Sequence, residues 1–149
     1  MTTTSSGRWS SLRLPWLGAT ILCLTLRSAW ASPAMDLYKQ CRDKTTTAQQ
    51  RTCFPAAVQQ SEIELAAAEQ DTRADLEELE AVSQGSRALR PVQAFDEAAR
   101  AFRAFREAER QRVLTSYGSG NGGGLAAAET VIRMNLERAD ALAEEASTR

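Results

Sequence analysis

The sequence predicts an all-α fold, an antiparallel bundle of about three long helices with a disulfide-stapled amino-terminal segment. Three observations predict it. Apolar residues recur three and four apart through residues 56–82, 95–113 and 125–143, the spacing that lines one face of a helix. No stretch of any length alternates apolar and polar residues as a half-buried strand would. Gly85, Pro91 and the run from Gly118 to Gly124 fall between the periodic stretches, where helices stop and start. With 43% hydrophobic and 25% charged residues among 149, the composition is that of an ordinary globular chain.

Residues 1–31 read as a secretory signal peptide. They hold Arg8, Arg13 and Arg27 and no acid, and Leu14 to Leu26 is apolar apart from Thr20 and Thr25. Ala29-Trp30-Ala31 supplies the small-x-small cleavage pattern, so the mature chain is expected to start at Ser32. A membrane span needs about 20 apolar residues, whereas Pro15 and Arg27 bound a run of 11. Leu22 before Cys23 speaks against a lipoprotein site. Cleavage removes Cys23 and leaves Cys41 and Cys53, and two cysteines in an oxidising compartment are expected to pair. Closing so short a loop is worth about 3 kcal/mol of chain entropy. Without a Cys-x-x-Cys spacing, a plain staple is expected rather than a redox centre. Fifteen basic and 19 acidic residues remain, a net charge of −4.

Each element follows from local signals. In the amino-terminal segment, residues 32–46, the run Asp36 to Cys41 suits a turn or two of helix. Thr47 with Gln50 three residues on fits a capping box that opens a helix and the main domain, residues 47–146. Pro55 is expected to kink or restart that helix near Phe54. Val58, Leu65, Ala68, Leu76, Leu79 and Val82 mark its apolar face, and Gly85 is placed to end it in the left-handed conformation. Pro91 suits the first turn of a second helix. There Phe95, Ala98, Ala99, Phe102, Phe105 and Val113 form the apolar face, with Phe102 and Phe105 expected in the core, while Arg100, Arg103, Arg106 and Arg110 line another face. Tyr117 to Gly124 is expected to be a flexible loop. Leu125, Ala128, Ile132, Leu136, Ala139 and Ala143 then give a third helix to about residue 146.

Composition excludes several chemistries. The chain has no histidine, which removes Ser-His-Asp triads, His-ligated zinc and His-ligated haem. No metal site, cofactor or catalytic constellation is expected, and a near-neutral to acidic balance does not suit nucleic acid. Gly118-x-Gly120-x-x-Gly123 matches a dinucleotide fingerprint in letters only, because a helix and not a strand precedes it. Two charged segments are more informative. Glu62 to Glu80 carries eight acids against Arg73, and residues 87–112 carry seven arginines against four acids. The acids are either a solvated face or an attractor of a cationic partner. The arginines either compensate them across the bundle, at about 0–1 kcal/mol for each exposed pair, or bind phosphate or carboxylate groups. The candidate partner-binding residues are Asp75, Glu77, Glu78 and Glu80 with Tyr117 and Ser119 of the loop.

Beyond these patterns, Cys41, then Thr47-Ala48-Gln49-Gln50-Arg51-Thr52-Cys53 and a long acidic helix, resembles the opening of the LprI-like lysozyme-inhibitor family. Ala98-Ala99-Arg100-Ala101-Phe102-Arg103-Ala104-Phe105-Arg106-Glu107-Ala108-Glu109-Arg110 is similar to that family's Ala-Gln-Arg-Ala-Trp-x-x-Phe-Arg-Asp-Ala-x-Cys signature. The closing region, Leu136 to Leu142 with Arg138, is similar to the family's final helix, so the likeness spans residues 36–145. Phe102 stands where the family has Trp, Arg110 where it has a third cysteine, and Thr130 about where it has a fourth. The joint loss implies that the family pairs its first cysteine with its second and its third with its fourth. Pro55 also falls in what the family keeps as uninterrupted helix.

The resemblance implies a secreted or periplasmic binding protein, not an enzyme, that inhibits a basic lysozyme in the cell envelope. The alternative is a structural or scaffolding helical module of the envelope. An acidic face beside the glycine loop would favour inhibition, and acids fully paired with the arginine stripe would favour the structural role. Intact mass of the exported protein, before and after reduction and alkylation, is expected to show a chain starting at Ser32 with no free thiol. Two alkylated thiols without reduction would rule out the pairing.

Overall fold

Caps and prolines place the helix boundaries. The computed structural model describes residues 32–148, which form five helices: α1 (Pro33–Arg42), α2 (Thr47–Val82), α3 (Gln84–Leu89), α4 (Pro91–Ser116) and α5 (Gly123–Thr148). The described residues contain no strand. The expected signal peptide, residues 1–31, lies outside the described residues.

Helix α1 is longer than the expected turn or two, because its ends are well made. The Ser32 hydroxyl accepts from the Met35 N–H at 3.1 Å, Pro33 fills the first position, Asp36 sits in the first turn, and Lys39 and Arg42 sit in the last. Helix α2 opens on a capping box one residue earlier than the sequence suggested. Thr46 accepts from the Gln49 N–H at 3.2 Å and Gln49 Oε1 from the Thr46 N–H at 3.3 Å, while the Gln50 amide instead donates to the Arg42 and Lys44 carbonyls. The restart expected at Pro55 does not occur, and α2 runs 36 residues through it. Pro55 is exposed, so the Arg51 carbonyl that it leaves without a donor faces water, while buried Phe54 and Ala57 anchor the helix on either side.

Gly85 does not end α2. Ser83, in extended backbone, closes α2 and caps α3 by accepting from the Ser86 N–H, and Gly85 lies inside α3. The left-handed residue is Arg90 (φ 51°), where the following Pro91 disfavours the right-handed helical region. Pro91 opens α4 as expected.

The Cys41–Cys53 disulfide, with Cα atoms 5.4 Å apart, joins α1 antiparallel to α2. Ala34, Cys41, Phe54, Ala57, Ile132 and Leu136 form a core where α1 lies over α2 and α5. Tyr38 packs edge-on to Phe54, its ring centroid 6.0 Å away, and its hydroxyl donates to Glu129. Burial, and then that hydrogen bond, push the Tyr38 phenol above its usual range. Helix α5 runs parallel to α2, and α4 runs antiparallel to both.

Between these three helices Asn135 is fully buried. Its Nδ2 donates to Ser61 Oγ at 2.9 Å, Arg106 Nη1 donates to its Oδ1 at 2.6 Å, and Ser61 passes its own proton to the Val58 carbonyl at 2.8 Å. Of the two phenylalanines expected in the core, Phe102 is half-buried and Phe105 is 61% exposed. Helical geometry explains the loss: Phe105, six residues from buried Ala99, points about 120° away from it, whereas Arg106, seven residues on, returns to the buried side. Replacing Asn135 by Ala takes away the buried acceptor of Arg106, which keeps only Glu62 at 3.8 Å, and the donor to Ser61, which keeps only the Val58 carbonyl, and is expected to cost about 1–3 kcal/mol. The urea midpoint of unfolding reads this, and an unchanged midpoint would mean that the network carries no stability.

Candidate functional site

Five of the eight acids between Glu62 and Glu80 are engaged inside the bundle. Glu64 accepts from the Ser32 hydroxyl and from the Ala34 N–H at 2.8 Å, closing the start of α1. Glu80 does the same for α4, accepting from the Val92 N–H at 3.1 Å. A carboxylate at a helix amino terminus meets unpaired N–H groups and the positive end of the dipole. Glu69, buried, pairs with Arg103, and Glu62 lies 3.8 Å from Arg106. Glu77 pairs with Arg73, which also reaches Asp96 at 3.1 Å. Those two hydrogen bonds, Asp96 first, hold the Arg73 guanidinium above its ordinary pKa.

The remaining three, Asp71, Asp75 and Glu78, are exposed and have no ion-pair or hydrogen-bond partner among the described residues. Their spacing of four and three puts them on one flank of α2. Of the expected attractor residues, the structure therefore leaves Asp75 and Glu78 free, employs Glu77 and Glu80 elsewhere, and adds Asp71.

The arginine stripe divides in the same way. Arg103 and Arg106 compensate α2, and Arg110 is held by Glu107 of its own helix, with Nη2 2.7 Å from Oε1. This hydrogen bond lowers the Glu107 pKa and raises that of Arg110. Arg100 is exposed and unpaired among the described residues.

The glycine segment is a hydrogen-bonded turn rather than a loose loop, and α5 already begins at Gly123. Gly118 N–H donates to the Thr115 carbonyl and Gly120 N–H to that of Tyr117, at 3.0 and 2.9 Å. Gly118 has φ 55°, and a Cβ on Gly123 would come within 2.9 Å of the Leu114 carbonyl. Tyr117, half exposed, lies against Gly122, and Ser119 is exposed at the tip.

Across the bundle, Arg51 Nη2 donates to the Asn121 carbonyl at 2.6 Å. Beside that bond, Phe54, Pro55, Val58, Leu125 and Ala128 floor an open groove of about 600 Å³. Sequence reading missed this groove, because nothing local links Arg51 to a carbonyl 70 residues away. It also missed how far apart the candidate residues lie: Arg51, beside the turn, and Asp75 are 24 residues apart on one helix, about 36 Å. The turn with Tyr117 and Ser119 and the free carboxylates therefore occupy different ends of the bundle.

Among the described residues, no group of three or more His, Cys, Asp or Glu is placed to hold a metal, and no helix is long and apolar enough to cross a membrane. Fold and surface together define a small all-α bundle with a disulfide-stapled amino-terminal hairpin, a groove at one end and unpaired carboxylates at the other. The chain belongs to the lysozyme inhibitor LprI family, whose pattern matches residues 41–142. No curated protein and no solved structure matches it.

Replacing Arg51 by Ala is expected to free the turn. For a lost hydrogen bond worth about 1 kcal/mol, the Gly118 and Gly120 amides should exchange with solvent on the order of fivefold faster. Unchanged exchange would show that the turn holds without its tie to α2.

Proposed function

We propose that the protein is exported by cleavage after Ala31 and inhibits a basic lysozyme in the cell envelope, acting by binding and not by catalysis. Membership of the family over residues 41–142 carries this reading. The net charge of −4 on the exported chain supports it. Asp71, Asp75 and Glu78 are free to act outward, although they lie at the end of the bundle remote from the glycine turn and not beside it as the sequence criterion asked. A lysozyme of the basic, animal type would be drawn to that flank from solution. The other end of the bundle offers the alternative contact, with Tyr117 and Ser119 beside the groove. The rival reading, a structural envelope module, draws support from the Arg103–Glu69 and Arg106–Glu62 pairs, which are internal compensation.

Cell-wall lysis by a basic lysozyme, with and without the exported protein, tests the activity. Inhibition is expected to weaken as salt rises. At about 0.15 M salt the screening length is about 8 Å, so association should slow more than dissociation quickens. The Asp75→Lys, Glu78→Lys double variant should behave at low salt as the native protein does at high salt. No inhibition at large molar excess, with lysozymes of more than one type, would leave the structural module standing.

A further inference from the structure

The buried stripe of α2 does not stop where its partners stop. Phe54, Ala57, Ser61, Leu65, Glu69 and Thr72 are buried at helical spacing, and Leu76, Leu79 and Val82 continue the sequence's apolar face. Leu76 is only half-buried, Leu79 is 42% exposed and Val82 is 74% exposed. Counted residue for residue from the Ser61–Asn135 contact, α5 ends level with Ala74. Helix α1 ends sooner, its Ser32 and Ala34 meeting Glu64. The last two turns of α2 therefore carry a core-type face beyond the reach of both α1 and α5. Leu89, in α3 just beyond, is 81% exposed.

We infer that this distal end of α2 is the surface on which the lysozyme docks, an inference that rests on the inhibitor reading above and chooses between its two ends. Scattered exposed aliphatics are ordinary on a protein surface. Here they extend a core stripe, and the unpaired carboxylates Asp71, Asp75 and Glu78 border them on the same flank. Along α2 the border of this apolar patch is acidic, with Arg87 of α3 turned to the Glu80 carbonyl, and a patch so bordered fits a basic protein surface that itself carries an apolar centre. The carboxylates attract the partner, and the aliphatics exclude water once it has arrived. Capture and docking then occur at one end, and the turn with Tyr117 and Ser119 stays outside the contact.

The test is binding of a basic lysozyme to the exported protein, followed by surface kinetics and by the lysis assay. Three variants are compared with the native protein: Leu79→Ser with Val82→Ser, Val82→Ser alone, and a turn shortened between Gly118 and Gly122. The double variant should dissociate at least tenfold faster with little change in association rate, and Val82→Ser, at the most exposed of the α2 positions, should show the same direction without loss of fold by circular dichroism. The shortened turn should inhibit as the native protein does. If the native protein inhibits and the serine variants inhibit equally, or if only the shortened turn weakens binding, the docking surface is elsewhere and the inhibitor reading stands. If the native protein neither binds nor inhibits, both fall. Sedimentation of the exported protein alone supplies the last arm: a dimer dissolved by Leu79→Ser with Val82→Ser would assign the patch to a second copy and overturn the proposal.

Discussion

A fully buried asparagine sets the frame of this bundle. Asn135 sits where an all-apolar bundle would place an aliphatic, and its amide finds a donor in Arg106 of α4 and an acceptor in Ser61 of α2. A primary amide removed from water without partners is costly. Sliding α5 by one turn along α2 would break both hydrogen bonds of the buried Asn135 amide together, whereas aliphatic contacts would degrade more gradually. The register so chosen has consequences far from Asn135. It brings the start of α5 beside Phe54 and Val58, which shapes the groove, and it brings the end of α5 level with the middle of α2's acidic stretch. That α1 and α5 leave the distal end of α2 uncovered is thus a result of register and helix length together.

Helix α1 shows a second constraint of the same kind. It is clamped at both ends, by the disulfide at Cys41 and by Glu64 at its amino terminus. Glu64 and Glu80 are acids that a charge count assigns to the solvated face, yet both are spent as caps for other helices. Once Glu62, Glu69 and Glu77 are paired with arginines, the nominal charge of the segment overstates what a partner meets. The outward field arises mainly from three side chains on one flank. This makes the flank's position, rather than the total, the quantity that matters for association.

Helix type and the three long helices were legible because they rest on spacing, and the Cys41–Cys53 pair because only two cysteines remain after Cys23, whereas the short α3 was not foreseen. The boundaries were less so. Thr45, Thr46 and Thr47 offer three hydroxyls, and Gln49 and Gln50 offer two amides, so the capping box admits neighbouring registers that differ only in how the preceding turn leaves α1. Gly85 looked like a terminator because glycine tolerates the left-handed region, but Ser83 satisfied the backbone first and the demand for that conformation moved to Arg90. Phe105 was read as core from hydrophobicity and from the family signature. Steps of three from Ala99 through Phe102 carry it round the helix and off the packed side. Arg106 reads in the sequence only as one of a stripe, and Ser61 and Asn135 carry no signal there, since polar residues at core phase look like interruptions until their partners, on helices remote in sequence, are known.

The second cysteine pair that the family resemblance implies bears on the same seam. Counted from the Arg106–Asn135 contact, Arg110 of α4 and Thr130 of α5 come about level across these antiparallel helices, where a bridge between the family's third and fourth cysteines would join them. Here Arg110 turns to Glu107 on its own helix, and the buried Thr130 returns its hydroxyl proton to the Ala126 carbonyl. Neither side chain links the helices, so non-covalent contacts must hold α4 against α5, with the amide of Asn135 and the guanidinium of Arg106 as the polar tie. A chain without the second staple therefore depends more heavily on that buried pair than one in which a covalent bond already closes the α4–α5 hairpin. The register that Asn135 sets also fixes how far along α2 the end of α5 reaches, and with it the amount of apolar surface that the distal turns of α2 expose.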